Sequence, residues 1–404
     1  MAVGNNSLPT LHAVAGITLG TACAGIKQTS KDDLLVMAFT AQTQCAAVFT
    51  QNAFCAAPVQ VAKMHLAHAP RWLVVNSGNA NAGTGQQGLQ DALTTCASLA
   101  QLTEGTLQQV LPFSTGVIGQ ALPVDKIVRA LPHAVADLAA QHWEQAAHAI
   151  MTTDTFPKGV SAQVVIGAET ITITGIAKGA GMIHPNMATL LAFIGTDAKI
   201  AQAHLQTCLA EAVEQSFNRI TVDGDTSTND ACVLVATGAA MGTELLPATA
   251  AYQCFAEAVR EVCKALAEAI IRDGEGATKL MRIVVSEAST EAEAVRVAKT
   301  IAHSPLVKTA FFASDPNWGR ILAAVGRAEI EGLVLENVAI FLNEVCIVSH
   351  GGRDLAYTEE AGQAVMNQEE ITITVSLGRG VLSAEVLTCD FSYDYVKINA
   401  EYRT

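Results

Sequence analysis

The chain has 404 residues and a formal net charge of −14, and 50% of its residues are hydrophobic while 15% are charged. This length and composition predict a globular protein with substantial cores and not a disordered chain. No cluster of lysines or arginines is present to neutralise phosphates, so a nucleic-acid partner is not expected. No apolar run approaches the roughly 20 residues of a membrane span, so no membrane partner is expected either. Ten scattered cysteines without a C-x-x-C pair predict a reduced, cytoplasmic protein.

The first third of the chain reads as short apolar strands followed by a helix. Strands are predicted around Leu34–Ala38, Ala46–Phe49 and Trp72–Val75. A loop of asparagines and glycines, 76–83, leads to a helix at about 89–102. Residues 83–88 spell G-x-G-x-x-G, which raises a nucleotide-dependent oxidoreductase as an alternative. Seven residues separate this cluster from the strand, whereas a dinucleotide site requires the first glycine almost directly after it, so this alternative is weak.

The segment Val110–Gly119 contains a serine and a Thr-Gly pair within a turn-like context. Its Pro112-x-Ser114-x-Gly116 pattern departs from the nucleophile elbow G-x-S-x-G at the first glycine, so Ser114 is a poor nucleophile candidate. A tight turn at Thr115–Gly116 could direct a hydroxyl and a backbone N–H to one point, as in an oxyanion hole. The residues alone fit an ordinary turn better than an oxyanion hole.

An alanine-rich helix is predicted over 135–150. It is followed by a hydroxyl-rich turn at 151–158 and by two strands, 163–166 and 170–176. Next comes Lys178-Gly-Ala-Gly-Met-Ile-His-Pro-Asn-Met-Ala188-Thr189, directly before an apolar run. Glycine and proline allow this loop to be bent or strained. The Thr189 hydroxyl could then attack the Ala188 carbonyl and cut the chain. The new α-amine would act as base for its own hydroxyl. A plain glycine turn entering a core element is the alternative.

The remainder alternates helices and strands. Helices are predicted at about 201–217, 250–271 and 291–302, and strands at 281–286 and beyond 329. The segment 221–230 begins like a calcium loop but lacks the required glycine and glutamate, and no other pattern predicts a metal site. Glu275 lies between two glycines at a helix end, where it is either a solvated turn carboxylate or a ligand for an amine.

Several blocks of the sequence resemble the ornithine acetyltransferase family, the bifunctional arginine-biosynthesis glutamate N-acetyltransferases. The family pattern K-G-S-G-M-I-x-P-N-M-A-T matches 178–189, with Ala180 in place of the usual serine and His184 at the unspecified position. Further matching blocks lie near 72–85, 110–119, 151–155, 221–230, 273–279, 304–326 and 394–404. The resemblance therefore covers almost the whole chain, and the order and spacing of its blocks make it specific.

The resemblance implies a role for each matching residue. Thr189 would be the nucleophile, Thr115 and Gly116 the oxyanion hole, and Ala188–Thr189 the cleavage site. The substrate-binding positions it implies are Thr152, Lys178, Thr189, Glu275, Asn399 and Thr404. The resemblance also implies a DmpA/ArgJ-like α/β fold of packed sheets and helices, related to N-terminal-nucleophile hydrolases but distinct in connectivity.

These features predict a self-cleaving transferase with an alpha chain, 1–188, and a beta chain, 189–404, that carries a smaller C-terminal α/β domain from about 281. The implied reaction moves acetyl from N2-acetylornithine to glutamate in arginine biosynthesis without a cofactor, in a heterotetramer of two alpha and two beta chains. Acetyl-coenzyme A as a second donor is left open. A threonine-nucleophile aminopeptidase or amidohydrolase and a non-catalytic amino-acid-binding protein remain as alternatives.

Overall fold

The computed structural model describes residues 3–4, 7–27, 30–184 and 190–401. The predicted positions Ala188, Thr189 and Thr404 lie outside the described residues. The strands are β1 Ile17–Ala22, β2 Leu34–Phe39, β3 Gln44–Phe49, β4 Trp72–Asn79, β5 Val110–Val117, β6 Lys158–Ile166, β7 Glu169–Lys178, β8 Leu191–Thr196, β9 Ala231–Ala236, β10 Leu280–Ala288, β11 Ala339–Leu342, β12 Val345–Ser349, β13 Gly352–Arg353, β14 Glu370–Ser376 and β15 Leu382–Cys389. The helices are α1 Ala57–His65, α2 Gly85–Leu102, α3 Val124–Ala136, α4 Trp143–Ala149, α5 Gln202–Glu214, α6 Ala250–Arg272, α7 Glu291–Ala302, α8 Pro305–Phe312, α9 Trp318–Gly326, α10 Glu359–Met366 and α11 Tyr393–Glu401.

Two sheets pack face to face at the centre of the first 280 residues. One has the strand order β1-β2-β4-β5 and the other β3-β9-β8-β7-β6. Their facing side chains form one apolar core, in which the rings of Phe113 from β5 and Phe193 from β8 meet edge to face with centroids 5.2 Å apart. Helices cover both outer faces, with α2 and α3 on the first sheet and α5 and α6 on the second. The result is a helix–sheet–sheet–helix sandwich, a layered solution that buries every apolar sheet face.

The composition of the central strands explains this burial on both faces. Every residue of β8 and β9 is buried, and both strands are apolar except for Thr196 at the end of β8. They pair in parallel with Leu191 opposite Ala231. Parallel pairs flanked by other layers have this sequence signature, whereas a strand with one wet face alternates. The structure thus confirms the predicted α/β class of packed sheets and helices.

A third sheet, of order β13-β12-β11-β14-β10-β15, forms from residues 280–389. Its core contains side chains from α7, α9 and α10 together with the strands. Helix α7 matches its predicted bounds because Thr290 caps it, accepting from the Glu293 N–H, and because apolar residues recur at helical spacing.

Two predicted local structures are wrong. The single helix over 135–150 is instead the end of α3, a break, and α4, because Ala139 leaves the helix and exchanges two backbone hydrogen bonds with Leu19 of β1. The predicted turn at 115–116 is part of β5. Pro112 is tolerated in β5 because this strand is the edge of its sheet and pairs only with β4.

Among the described residues, no helix combines the length and the apolar character required to span a membrane.

Candidate active site

A cavity of about 290 Å³ opens where the two packed sheets meet the loops that follow α6 and precede β9. It gathers six of the residues predicted from the sequence: Thr115, Gly116, Thr152, Lys178, Glu275 and Asn399. These residues come from β5, the loop after α4, β7, the loop after α6, and α11. Leu190, the residue that follows Thr189 in the chain, also lines the cavity. The predicted residues that it does not gather, Ala188, Thr189 and Thr404, are those outside the described ranges.

A hydrogen bond links the two sheets across the cavity. Lys178 Nζ donates to Thr115 Oγ1 at 3.1 Å. Lys178 is the last residue of β7, opposite Leu191 of β8, while Thr115 is a buried residue of β5 in the other sheet. The ammonium group is therefore fixed beside a hydroxyl at the sheet ends, where it can attract an anion or a developing negative charge.

Gly116 occupies a position that no other residue type can take without rearrangement. Its φ is +133°, a region that residues with a side chain rarely adopt. A Cβ there would lie 2.3 Å from the carbonyl carbon of Gly78 and 2.6 Å from the nitrogen of Asn79. The β4–β5 pairing is irregular at this level. Gly116 thus lets β5 approach β4 and continue past Thr115 along the cavity wall.

Glu275 rests on the glycine-rich segment that precedes residue 185. Its carboxylate is buried and accepts from Asn399 Nδ2 at 2.8 Å, and its backbone N–H donates to the Ala180 carbonyl at 2.8 Å. A Cβ on Gly181 would lie 2.3 Å from Glu275 Oε2. The Ala180 side chain is buried, so this position faces the protein interior. Glycine at 181 is therefore what makes room for the Glu275 carboxylate.

A buried ion cluster holds three of these segments together, and nothing in the sequence reasoning predicted it. Lys158 Nζ contacts Asp154 Oδ1 at 2.6 Å and Asp273 Oδ2 at 2.7 Å, and all three residues are buried. Asp154 also accepts from the N–H groups of Gly179 and Thr152, at 2.7 and 2.9 Å. Burial raises the pKa of Asp154, but Lys158, Lys178 and these hydrogen bonds outweigh it and hold the pKa well below its usual range. The cluster fixes the backbone beside Thr152, Lys178 and Glu275.

The loop 221–230 supports the same segment from the other side. Asp223 accepts from the N–H groups of Met182 and Ile183, at 2.6 and 2.9 Å. Thr226 Oγ1 donates to the His184 carbonyl at 3.0 Å. Asn229 donates to the Ser114 carbonyl at 2.9 Å and so ties the loop to β5. These contacts make the loop a scaffold for the cavity wall and not a calcium site, as its missing glycine and glutamate predicted.

The glycine cluster at 83–88 does not have the geometry of a dinucleotide site. Strand β4 extends to Asn79, and α2 begins at Gly85, the second glycine of the pattern. Asn81 is buried, and its Nδ2 donates to the Gly88 carbonyl at 2.9 Å. The Asn81 side chain therefore holds the loop against helix α2, which follows it.

These features define an α/β sandwich protein with a cavity at the ends of two packed sheets, where a lysine, hydroxyl groups and a buried carboxylate converge. A family model described as the ArgJ family matches residues 18–404. The chain belongs to the ArgJ family, which confirms the resemblance seen in the sequence.

Individual relatives agree with this family model. The "Arginine biosynthesis bifunctional protein ArgJ" of Methylococcus capsulatus is 61% identical over 394 residues, which cover 98% of this chain and 97% of the relative. A protein with the same name from Pseudomonas fluorescens is 56% identical over 407 residues, which cover 100% of both chains. A crystal structure of an arginine biosynthesis bifunctional protein from Bacillus halodurans is 41% identical with a TM-score of 0.50, and the match covers 52% of this chain and 97% of that one.

Proposed function

We propose that this chain transfers acetyl from N2-acetylornithine to glutamate through an acetyl-threonine intermediate, in the synthesis of arginine. The observation that carries the proposal is the Lys178–Thr115 hydrogen bond inside the cavity that Leu190 also lines. A cation, a hydroxyl and Gly116 stand together beside the residue bonded to Thr189. Membership of the ArgJ family and the names of its close relatives support the same reaction.

We propose that Thr189 becomes the nucleophile when its hydroxyl attacks the Ala188 carbonyl, the acyl group shifts to oxygen, and water cleaves the ester. The new α-amine has a reference pKa of about 7.7–8.0, so near neutral pH part of it is unprotonated and can accept the hydroxyl proton. A cut here would yield chains 1–188 and 189–404. The Bacillus halodurans chain, which corresponds over nearly its whole length to about half of this one, is of the size that such a cut produces.

In the first half-reaction, Thr189 Oγ attacks the acetyl carbonyl and gives its proton to the amine. The oxyanion forms beside Thr115 and Gly116, which stabilise the negative charge. The C–N bond then breaks, the amine proton passes to the departing nitrogen, and ornithine leaves an acetyl ester on Thr189. Glutamate reverses these steps by attacking the ester with its own amine.

The cavity has complementary groups for both amino acids. Each substrate carries an α-carboxylate, for which Lys178 is the cation among the described lining residues. The Glu275 carboxylate, oriented by Asn399, could receive a substrate amine, and Thr152 adds a hydroxyl. We propose that Thr404 completes the substrate site and that no resident cofactor is needed, because the threonine supplies both nucleophile and base. Acetyl-coenzyme A as a second donor, an assembly of two alpha and two beta chains, and a cytoplasmic location belong to the same proposal.

The test combines mass spectrometry with a half-reaction assay. Purified protein should show two polypeptides separated at Ala188–Thr189, and Thr189→Ala should stay in one piece and be inactive. N2-acetylornithine alone should release one ornithine per site and add one acetyl group to the 189–404 chain, and glutamate should remove it as N-acetylglutamate. Wild-type protein that stays full length would refute the proposal.

Two other outcomes would identify the competing functions. Continuous release of acetate without glutamate would indicate a hydrolase of the aminopeptidase group. Binding of amino acids by an uncut chain without turnover would indicate a non-catalytic binding protein. A coupled assay with acetyl-coenzyme A and glutamate decides whether the second donor is used.

A further inference from the structure

Helix α11 reaches the cavity without burying any of its own residues. All nine of its residues, 393–401, are described, and none of them is buried. A helix this short is not stable by itself in water, because an isolated helix needs roughly 12–15 residues even with a favourable sequence. The contacts of α11 with its surroundings must therefore hold it in place, and with it Asn399, which lines the cavity.

Tyr395 is the residue of α11 that packs against the apolar core beneath α5 and α6. Its ring stacks on the ring of Phe391, with centroids 4.6 Å apart and 18° between the planes. The Phe391 N–H donates to the Lys308 carbonyl at 3.3 Å, and the Lys308 ammonium lies 4.5 Å from the Phe391 ring centroid. Lys308 is itself buried and donates to Thr388 Oγ1 at 2.7 Å. The stacked pair therefore fixes α11 to α8 and to the end of β15.

The hydroxyl of Tyr395 faces the loop that supports the glycine-rich segment. It donates to Asp223 Oδ2 at 3.4 Å, and the same oxygen accepts from the Met182 N–H at 2.6 Å. Burial, and after it the charges of Asp223 and Glu275, raises the pKa of this phenol, so it stays protonated and can donate. The distance is long for an O–H···O hydrogen bond, so the stacked ring is the stronger of the two attachments.

The backbone of Tyr395 orients the Asn399 side chain. Asn399 Nδ2 donates one hydrogen to the Glu275 carboxylate at 2.8 Å and the other to the Tyr395 carbonyl at 3.0 Å. The loop that carries Glu275 meets α11 at the same turn, where a Cβ on Gly276 would lie 2.5 Å from the Tyr395 nitrogen. A displacement of α11 at Tyr395 would therefore move the Asn399 amide away from Glu275.

We infer that Tyr395 is a positioning residue whose stacked ring holds Asn399 against Glu275 and thereby sets the affinity for N2-acetylornithine. This inference rests on the proposed function, in which Glu275 receives a substrate amine. Tyr395 is not among the described residues that line the cavity, so it acts through Asn399 and not on the substrate. Lys178 and Thr115 are held by the two sheets and not by α11, so the chemical step should be little affected.

The test is a double-mutant cycle that compares Tyr395→Ala, Asn399→Ala and the double variant with wild type. KM and kcat for N2-acetylornithine are measured at saturating glutamate. Each single variant should raise KM about 10-fold and change kcat by less than about 3-fold, because it displaces a binding group and leaves the reacting groups in place. The double variant should be no worse than Asn399→Ala, because two residues that act through one contact are not additive.

Two further variants separate the ring of Tyr395 from the rest of the helix. Tyr395→Phe keeps the stacked ring, so its KM should stay within about 3-fold of wild type. Tyr393→Ala is the matched control, because Tyr393 lies on the same helix, is 83% exposed and places its ring against Phe312. Its KM should stay within about 2-fold of wild type, as for other surface substitutions.

Hydrogen exchange of the whole protein gives a measurement that does not depend on activity. The amides of 393–401 should exchange faster in Tyr395→Ala than in wild type, and at the wild-type rate in Tyr395→Phe, while exchange in the sheets stays unchanged. Tyr395→Leu, which is apolar but cannot stack, replaces the alanine variant if that variant does not fold.

Each contrary result overturns a named part of the inference. Increases in KM that multiply in the double variant would mean that Tyr395 does not act through Asn399. A Tyr395→Phe variant as weak as Tyr395→Ala would exclude the stacked ring as the attachment. An equal increase in KM for Tyr393→Ala would show that Tyr395 has no special part in placing α11. Wild-type protein that is inactive on N2-acetylornithine would remove the proposed function, whereas unchanged exchange at 393–401 in Tyr395→Ala would remove this inference alone.

Discussion

Replacing Lys158 with methionine would remove the cation from the buried cluster with Asp154 and Asp273. The two carboxylates would keep their backbone hydrogen bonds, but neither would retain a cation in direct contact, in a region where all three residues are at most 8% exposed. Removing one partner of a buried ion pair costs about 3–5 kcal/mol, because the charge left behind is neither solvated nor compensated. We expect a loss of this size in the free energy of unfolding at neutral pH.

The measurement is urea unfolding followed by circular dichroism, at one protein concentration for all variants. Lys264→Met is the matched control, because Lys264 pairs with Glu261 at 3.0 Å while both side chains are about half exposed. Such surface pairs contribute about 0–1 kcal/mol, so the control should unfold like wild type.

The difference between Lys158→Met and wild type should also depend on pH. The pKa of Asp154 is held below its usual range in the folded protein, so its stabilising contribution is present above the ordinary Asp pKa and is lost as the pH falls below it. In the variant the buried carboxyls can accept protons at low pH and lose their unfavourable charge. The difference in free energy of unfolding between wild type and Lys158→Met should therefore become smaller toward about pH 4. A loss within about 1 kcal/mol, equal to that of Lys264→Met, would refute the role assigned to the cluster.

Two further predictions concern the site and its surroundings. Gly181→Ala should fold normally yet raise KM for N2-acetylornithine about 10-fold or more, because its Cβ would displace the movable end of Glu275. Gly242→Ala, where the nearest atom is 3.9 Å away, is the control. An unchanged KM in Gly181→Ala would refute the role of its contact with Glu275. Burial, and after it the charges of neighbouring groups, lowers the pKa of His303 to about 3 in the folded protein. As the pH drops below about 6.5, the His303 imidazole is therefore protonated in the unfolded chain but not in the folded one, and the free energy of unfolding should fall. Between pH 7 and pH 5, the unfolding temperature should decrease less for His303→Gln than for wild type or for His68→Gln, a control at an exposed site. Equal decreases in all three proteins would contradict this explanation.

The sequence was most informative where a structural element depends on residues that are close to one another along the chain. Helix α7 carries its own cap and an apolar stripe, so local patterns were enough to predict its bounds. The break between α3 and α4 depends on the pairing of Ala139 with Leu19, 120 residues earlier in the chain, which no local pattern contains. Long-range contacts override local helix preference in this way.

The same limit applies to the site. Family resemblance selected Lys178 and Thr115 individually, but their hydrogen bond exists only because two sheets pack against each other. The ion cluster was missed because Asp273 lies far along the chain from Asp154 and Lys158. The spacing of Asp154 and Lys158, four residues apart with opposite charges, was the one signal in the sequence that could have suggested a pair.

The connectivity of the second sheet explains how a chain could be cut between β7 and β8 without losing its fold. In the order β3-β9-β8-β7-β6, strands β8 and β9 would belong to the 189–404 piece, and the other three to the 1–188 piece. Both strands that flank the β8–β9 pair would thus come from the other piece, so the sheet cannot be divided without breaking two ladders. The backbone is also fixed on both sides of the undescribed segment, by Asp223 at residues 182–183 and by Ala231 at Leu190. Cleavage would therefore release a terminal amine into a site whose walls are already held in place, which is the condition that nucleophilic catalysis by a chain end requires.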